Sequence, residues 1–250
     1  MSADSYLSGV LAKYNVNHTG VHAQVLAIHP VIAKWAGTYL LETIYSGSIA
    51  KGTAVSLSRD ADIFISLSST TPDPLADVYA TLHTALIQAG YQARKQNVSI
   101  GVSAGGYNID YIPGKRQSQY GYDHGLYKSK AGSWTKTNVK THVSSVAESG
   151  RLREIRLTKI WRTLRGLEFP SFYLELAAID CLAGSSTTTL SDNFWKVLGF
   201  LSGDFPTRRY LDPANTNNVI SDDLTQAERQ ATKTAALNAR AQKNWQTIVW

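Results

Sequence analysis

The sequence predicts an α+β fold: a small mixed sheet with flanking helices, packed on a C-terminal helical lobe with a cleft between them. Two observations carry this expectation. Short apolar runs of strand length lie between residues 60 and 112, separated by one clear helical stripe. From about residue 147 onward, apolar residues recur almost everywhere at helical spacing. The boundary is therefore expected near residue 146, dividing 1–146 from 147–250. A chain of 250 residues, 43% hydrophobic and 18% charged, has the composition of an ordinary globular protein able to bury a sizeable core.

The first elements expected are helices over residues 3–14 and 21–39. In the second, Val25, Ile28, Ile32, Trp35 and Tyr39 fall near helical spacing. A Gly/Ser-containing break follows, then a strand over residues 60–66. Pro72 and Pro74 open a helix whose apolar stripe is Leu75, Val78, Leu82 and Leu86, with Gly90 placed to terminate it. Strands are expected at 91–95, 98–102 and 107–112, the last ended by Pro113. In the second half, Ile155, Ile160, Trp161 and Leu164 form one stripe, with Arg156, Lys159, Arg162 and Thr163 on a more polar side. Pro170 and Ser171 open a helix running to about residue 183 and stopped by Gly184. Ser191 or Asp192 is placed to cap a helix over 194–201, and Asp222 or Asp223 one running toward residue 245.

Composition excludes several classes. No run approaches the roughly 18 apolar residues that span a bilayer, and the first residues lack the layout of a secretory signal. No membrane partner is expected, and the cytoplasm is the default location. Cys181, the single cysteine, excludes an internal disulfide and a multi-cysteine zinc site, and reads as a small buried residue. The net charge is +6. Between Lys115 and Arg165 stand 12 Lys or Arg residues against three acids, Asp123, Glu148 and Glu154. That segment reads as a positive surface suited to the phosphates of nucleotides or RNA, or as a solvated basic face.

The chemistry concentrates in three short motifs. Asp60-Ala61-Asp62 opens the strand over 60–66, where residues two apart point to one face. Carboxylates so placed repel unless a cation sits between them, and an all-oxygen site suits Mg²⁺ or Mn²⁺. Two such ions about 4 Å apart clamp the attacking and leaving oxygens of a displacement. An isolated Asp-x-Asp also fits a charged edge strand. About a dozen residues upstream lies Ser46-Gly47-Ser48, where Gly47 lets the backbone approach a phosphate and Ser48 offers a hydroxyl and an N–H. Downstream, Asn108-Ile109-Asp110 places a third carboxylate on a later strand.

Gly-Ser, a spacer, a paired acid and a later single acid resemble the signature of the DNA-polymerase-β-like nucleotidyltransferases. The segment from Ser46 to Leu67 resembles the branch holding oligoadenylate synthetases, cyclic GMP–AMP synthase and bacterial cyclic-oligonucleotide synthetases (CD-NTases). Arg156 to Trp161 and Pro170 to Glu175 resemble that branch's helical-lobe pattern. The resemblance implies a two-metal nucleotidyltransferase, with Asp60, Asp62 and Asp110 as catalytic and metal-binding residues. It implies nucleotide binding by Gly47, Ser48, Lys159, Ser171 and Phe172, with Lys159 and Ser171 on the triphosphate and Phe172 stacked on the base. The bland alternatives are an exposed helix charge for Lys159 and a core aromatic for Phe172. His142 reads as a structural hydrogen-bonder, and the loop holding Asp212, Pro213, Asn217 and Asn218 resembles the branch's late loop. Nucleoside triphosphates are the implied substrates and short linear or cyclic oligonucleotides the implied products. The alternatives are an RNA 3′-end transferase similar to CCA-adding enzymes, whose tRNA-gripping tail has no counterpart here, and an inactive RNA- or protein-binding relative.

Overall fold

The nearly continuous apolar run from Ile63 to Leu67 makes the strand expected at the paired aspartates, and the rest of one sheet is laid against it. The computed structural model describes residues 2–58, 60–185 and 188–250. In chain order the first elements are α1 (Ala3–Lys13), α2 (Thr19–Ala36), β1 (Leu40–Ser46), α3 (Gly47–Lys51) and β2 (Asp60–Leu67). Next come α4 (Leu75–Gln88), β3 (Ala93–Lys95), β4 (Ile100–Ala104), β5 (Tyr107–Arg116), β6 (His124–Lys128) and β7 (Ser133–Thr137). The remainder is α5 (Val139–Ala147), α6 (Leu152–Leu164), α7 (Ser171–Cys181), α8 (Leu190–Ser202), β8 (Leu211–Asp212), β9 (Asn215–Val219), α9 (Gln226–Arg240) and α10 (Trp245–Ile248).

The chain divides into two compact units. One, residues 17–51 and 58–143, holds the seven-stranded sheet, ordered β1-β2-β5-β4-β3 with β6 on β5 and β7 on β6. Its pairing is mixed: β2 and β5 run parallel and the other pairs antiparallel. Period-two alternation divides the sheet's faces. Ala61, Ile63, Ile65 and Leu67 of β2, with Ile109 and Tyr111 of β5, join Ile28 and Ile32 of α2 and Val78, Leu82 and Leu86 of α4 in one core. Phe64, between them in sequence, belongs to a smaller cluster with Leu126, Val139 and Ile112. The other unit, residues 1–16, 52–57 and 144–250, is mostly helical. Its core joins Leu7, Val10 and Leu11 of α1 to Ile155, Ile160 and Trp161 of α6, Tyr173 of α7, and Phe194 and Leu198 of α8. Val55, from the stretch between the Gly-Ser motif and β2, is buried in the same core.

Several expectations need correcting. The first 16 residues belong to the helical unit, because α1 buries Leu7, Val10 and Leu11 there, and the boundary falls inside α5 at residue 143. The second helix ends at Ala36, where Gly37 takes φ 54°, and Tyr39 leads into the unpredicted β1. Pro113 does not end β5. It lies between the last residue paired with β4, Tyr111, and the first paired with β6, Lys115, a gap of the kind proline tolerates. The caps of α8 and α9 are Thr189 and Thr225, not Ser191 or Asp192 for the first and not Asp222 or Asp223 for the second, and Thr225 forms a full capping box with Glu228.

Candidate active site

Registered neighbours on adjacent strands share a face, so the sheet's pairing places the predicted carboxylates directly. Asp62 on β2 is in register with Asp110 on β5, and Asp60 with Asn108. Asp62 is also opposite Ser46 on β1, while Asp110 is opposite Gly101 on β4, which is opposite Arg94 on β3. Ser46, Asp62, Asp110, Gly101 and Arg94 thus form one row across five strands, each step about 4.8 Å. Asp60 and Asp62 share the face of Phe64, and Asp110 that of Ile112, opposite the face that α2 and α4 cover. The three predicted carboxylates therefore emerge together.

The Gly-Ser turn adjoins them. β1 ends at Ser46 beside Asp62, and Gly47 and Ser48 begin the single turn of α3. Gly47 has φ +55°, and a Cβ built on it would lie 1.9 Å from Asp62 Oδ2. Only glycine tolerates both the backbone conformation and that approach. Asp60 accepts hydrogen bonds from Ser58 Oγ at 2.6 Å and from Asn108 Nδ2 at 3.1 Å. Asp110 Oδ1 accepts one from Gln96 Nε2 at 2.8 Å. Burial lifts the Asp110 carboxyl above its ordinary pKa, Arg94 and the Gln96 bond oppose the rise, and the Asp60 charge adds to it.

Among the described residues, no group of three or more His, Cys, Asp or Glu side chains is gathered as a ready metal cage. The donors present still fit Mg²⁺ chemistry. Mg²⁺ keeps several waters and is usually held by one or two carboxylates plus substrate phosphates. Asp60, Asp62 and Asp110 are hard oxygen donors on one face, two of them steadied by neighbouring amides. This is a set for a substrate to complete.

The helical unit treats its predicted ligands differently. Lys159 on α6 is a buried cation, 3% exposed, 2.5 Å from Glu175 Oε1 and donating to Thr53 Oγ1 at 2.9 Å. Thr53 donates to Glu175 at 2.7 Å, closing a triad. The mobile point charge expected of Lys159 is thus anchored by a carboxylate. Ser171 begins α7 directly after Pro170, and its Oγ accepts from Arg162 at 3.2 Å. Phe172 packs against the helical core.

The basic surface expected from Lys115 to Arg165 is also reduced. Arg151, Arg156, Arg162 and Arg165 donate to the carbonyls of Leu182, Leu11, Phe169 and Ile248, and Arg153 to Ser8. These α6 cations tie down their own unit. In the sheet unit Lys115 bonds the Asp73 carbonyl, Arg116 pairs with Glu42 and Lys136 with Asp123. Cys181 is half-buried, and burial pushes its thiol up to about 12, leaving it inert. No helix among the described residues is long and apolar enough to cross a membrane.

Sequence reasoning missed Gln96, Asn108, Glu175 and Thr53. Asn108 was legible from strand parity, two residues before Asp110. Gln96 lies just past β3, with no periodic signal.

No family model matches the chain, and no curated protein does. Solved structures do match in fold. CdnC of E. coli MS115-1, in a complex with HORMA-deltaN, has a TM-score of 0.75 at 19% identity, covering 95% of this chain and 89% of that one. The CdnE cyclic dinucleotide synthase of Elizabethkingia meningoseptica, with GTP and Apcpp, has a TM-score of 0.74 at 16% identity, covering 97% and 100%. The Cid1 poly(U) polymerase, bound to MgATP, has a TM-score of 0.69 at 11% identity, covering 95% and 93%.

Proposed function

We propose that this chain, which has the α+β fold of the CD-NTases within the polymerase-β-like nucleotidyltransferases, is itself a nucleotidyltransferase. It transfers a nucleoside monophosphate from a triphosphate to a hydroxyl and builds short linear or cyclic oligonucleotides. One observation carries the reading: Asp60, Asp62 and Asp110 emerge from one sheet face beside a glycine turn that only glycine can make.

In the reaction, a hydroxyl oxygen bonds the α-phosphorus while the bond from that phosphorus to the bridging oxygen breaks. Pyrophosphate leaves, and the hydroxyl loses its proton. Asp60, Asp62 and Asp110 would hold two Mg²⁺ or Mn²⁺ ions, which supply charge neutralisation on the nucleophile and the leaving group. Ser58 and Asn108 hold the Asp60 carboxylate, so its orientation is set before substrate arrives. Asp110, ordered at Oδ1 by Gln96, assists the deprotonation of the attacking hydroxyl. Gly47 keeps the turn's backbone against Asp62, which brings the Ser48 N–H and hydroxyl to the triphosphate. In the helical unit, Ser171, whose Oγ accepts from Arg162, and Phe172 keep the phosphate-binding and base-stacking roles that the family resemblance implies.

The other acceptor reading, an RNA 3′ end, has the fold likeness to Cid1 in its favour. Against it, the α6 arginines that would have gripped RNA bond their own unit's carbonyls and Ser8. Incubation of pure protein with each labelled triphosphate and Mg²⁺ or Mn²⁺, with and without an RNA oligonucleotide, separates the readings. Short phosphatase-resistant products formed without RNA are expected, and Asp62→Asn should abolish them while melting like wild type. Label found only on RNA ends refutes the oligonucleotide product. Full turnover by Asp62→Asn refutes the site.

A further inference from the structure

Behind Asp110 the sheet contains a deliberate gap. The residue opposite it on β4 is Gly101, and the next in the row, on β3, is Arg94. A Cβ on Gly101 would lie 2.6 Å from Gln96 Nε2, 3.0 Å from Arg94 Nε and 3.0 Å from Asp110 Oδ1. The missing side chain is therefore the space through which Gln96 reaches the carboxylate, with the Arg94 side chain beside it.

Gln96 is fixed on every side. Its N–H donates to the Ser99 carbonyl at 2.9 Å, and its own carbonyl accepts from Tyr79 Oη and Ser129 Oγ, each at 2.5 Å. Ser99 Oγ donates to Gln96 Oε1 at 3.1 Å. With Oε1 taken by a donor, the amide's NH₂ end must face Asp110, where it donates at 2.8 Å. A loop residue so thoroughly held loses little entropy in keeping one rotamer.

We infer that Gln96, locked by Ser99 and admitted by Gly101, is a positioning residue that fixes the Asp110 carboxylate for nucleotidyl transfer. The inference rests on the proposed function. A neutral amide suits the task because it orders one carboxylate oxygen by a directed hydrogen bond without adding to the positive charge that Arg94 already brings. Arg94 lies farther along the same row and balances the repulsion between Asp60 and Asp110. Partners that orient metal-binding side chains typically change affinity or activity ~10–100-fold when removed.

The test compares wild type, Asp110→Asn, Gln96→Met and Ser99→Ala. Gln96→Met keeps the side chain's length and the backbone bonds but removes the donor. Two quantities are measured: Mn²⁺ affinity by titration calorimetry with a non-hydrolysable ATP analogue present, and kcat and KM for ATP at saturating Mn²⁺. Gln96→Met should weaken Mn²⁺ binding and lower kcat ~10–100-fold each, with KM for ATP unchanged. Ser99→Ala should move both the same way by less, and it carries the test if Gln96→Met does not fold. Asp110→Asn losing both functions while Gln96→Met and Ser99→Ala match wild type would overturn the positioning role alone. An Asp110→Asn variant that binds Mn²⁺ and turns over like wild type would instead overturn the catalytic reading on which it rests.

Discussion

Replacing Glu175 by leucine should destabilise the helical unit sharply, because it strands a buried ammonium. Lys159 and Glu175 are 3% and 1% exposed and 2.5 Å apart, and Thr53, fully buried, bonds to both. At an effective dielectric near 20, two unit charges at that separation attract by roughly 6–7 kcal/mol. Desolvation of the two ions offsets most of that gain, so the intact pair adds little net stability. Removing one partner leaves the other's desolvation unopposed, at a cost of ~3–5 kcal/mol. For a chain of this size that corresponds to a fall of roughly 6–20 °C in Tm. The double variant Lys159→Met/Glu175→Leu removes both charges and should recover most of the loss, as apolar replacements of buried pairs often do. Urea denaturation of wild type, both single variants and the double closes the cycle. A single-variant cost below about 1 kcal/mol, or a double variant as damaged as the sum of the singles, would refute the buried-triad reasoning. The same cycle separates two roles for Lys159. A phosphate ligand alone would raise KM for the triphosphate and leave the melting temperature where it was.

Other outcomes follow from the same geometry. Gly47→Ala should cost about 1–3 kcal/mol in thermal denaturation and reduce turnover more than ~100-fold, since its Cβ would displace Asp62 Oδ2; a variant within threefold of wild type contradicts the close approach. His124, buried between the Tyr122 carbonyl and Ser66 Oγ, is held below its ordinary 6.5 by burial and by Arg116. The unfolded imidazole protonates first, so stability present above pH 6.5 should decline as pH falls toward the depressed folded pKa. His124→Gln should flatten that slope in urea titrations between pH 5 and pH 7, and an unaltered slope would exclude His124 as its source. Thr225→Ala removes the hydroxyl half of the cap on α9 while its backbone N–H still donates to Glu228, and should cost ~1 kcal/mol in chemical denaturation, whereas Asp222→Ala should cost nearly nothing.

The carboxylates could be read ahead of the structure because strand parity is rigid. Once residues 60–66 form a strand, Asp60 and Asp62 must share a face. The polarity of α6 was visible but its meaning was not. A stripe of arginines looks the same in sequence whether it meets phosphate or, as here, the unit's own carbonyls, since the partner carbonyls come from α1, from Phe169 and Leu182 on either side of α7, and from Ile248. β6 and β7 went unseen because lysines and threonines on a short hairpin dilute the period-two signal, while β1 was masked by a helical stripe continuing to Tyr39. Gln96 could not have been found from spacing. Its importance comes from Ser99, Tyr79 and Ser129 converging on it, a property of the folded loop alone.

The three-part make-up of the helical unit bears on how the protein is synthesised. Leu7, Val10 and Leu11 leave the ribosome first, yet they bury against α6 and α8, and the Tyr6 and Tyr14 hydroxyls bond the carbonyls of Val249 and Trp250. Until α6 and α8 have been made, α1 therefore carries an apolar stripe without its native packing partners. A fragment begun at residue 147 would lack that helix and Val55 besides, and its core would be open to water. The core of this unit is a circle that closes only when residues 249 and 250 meet α1.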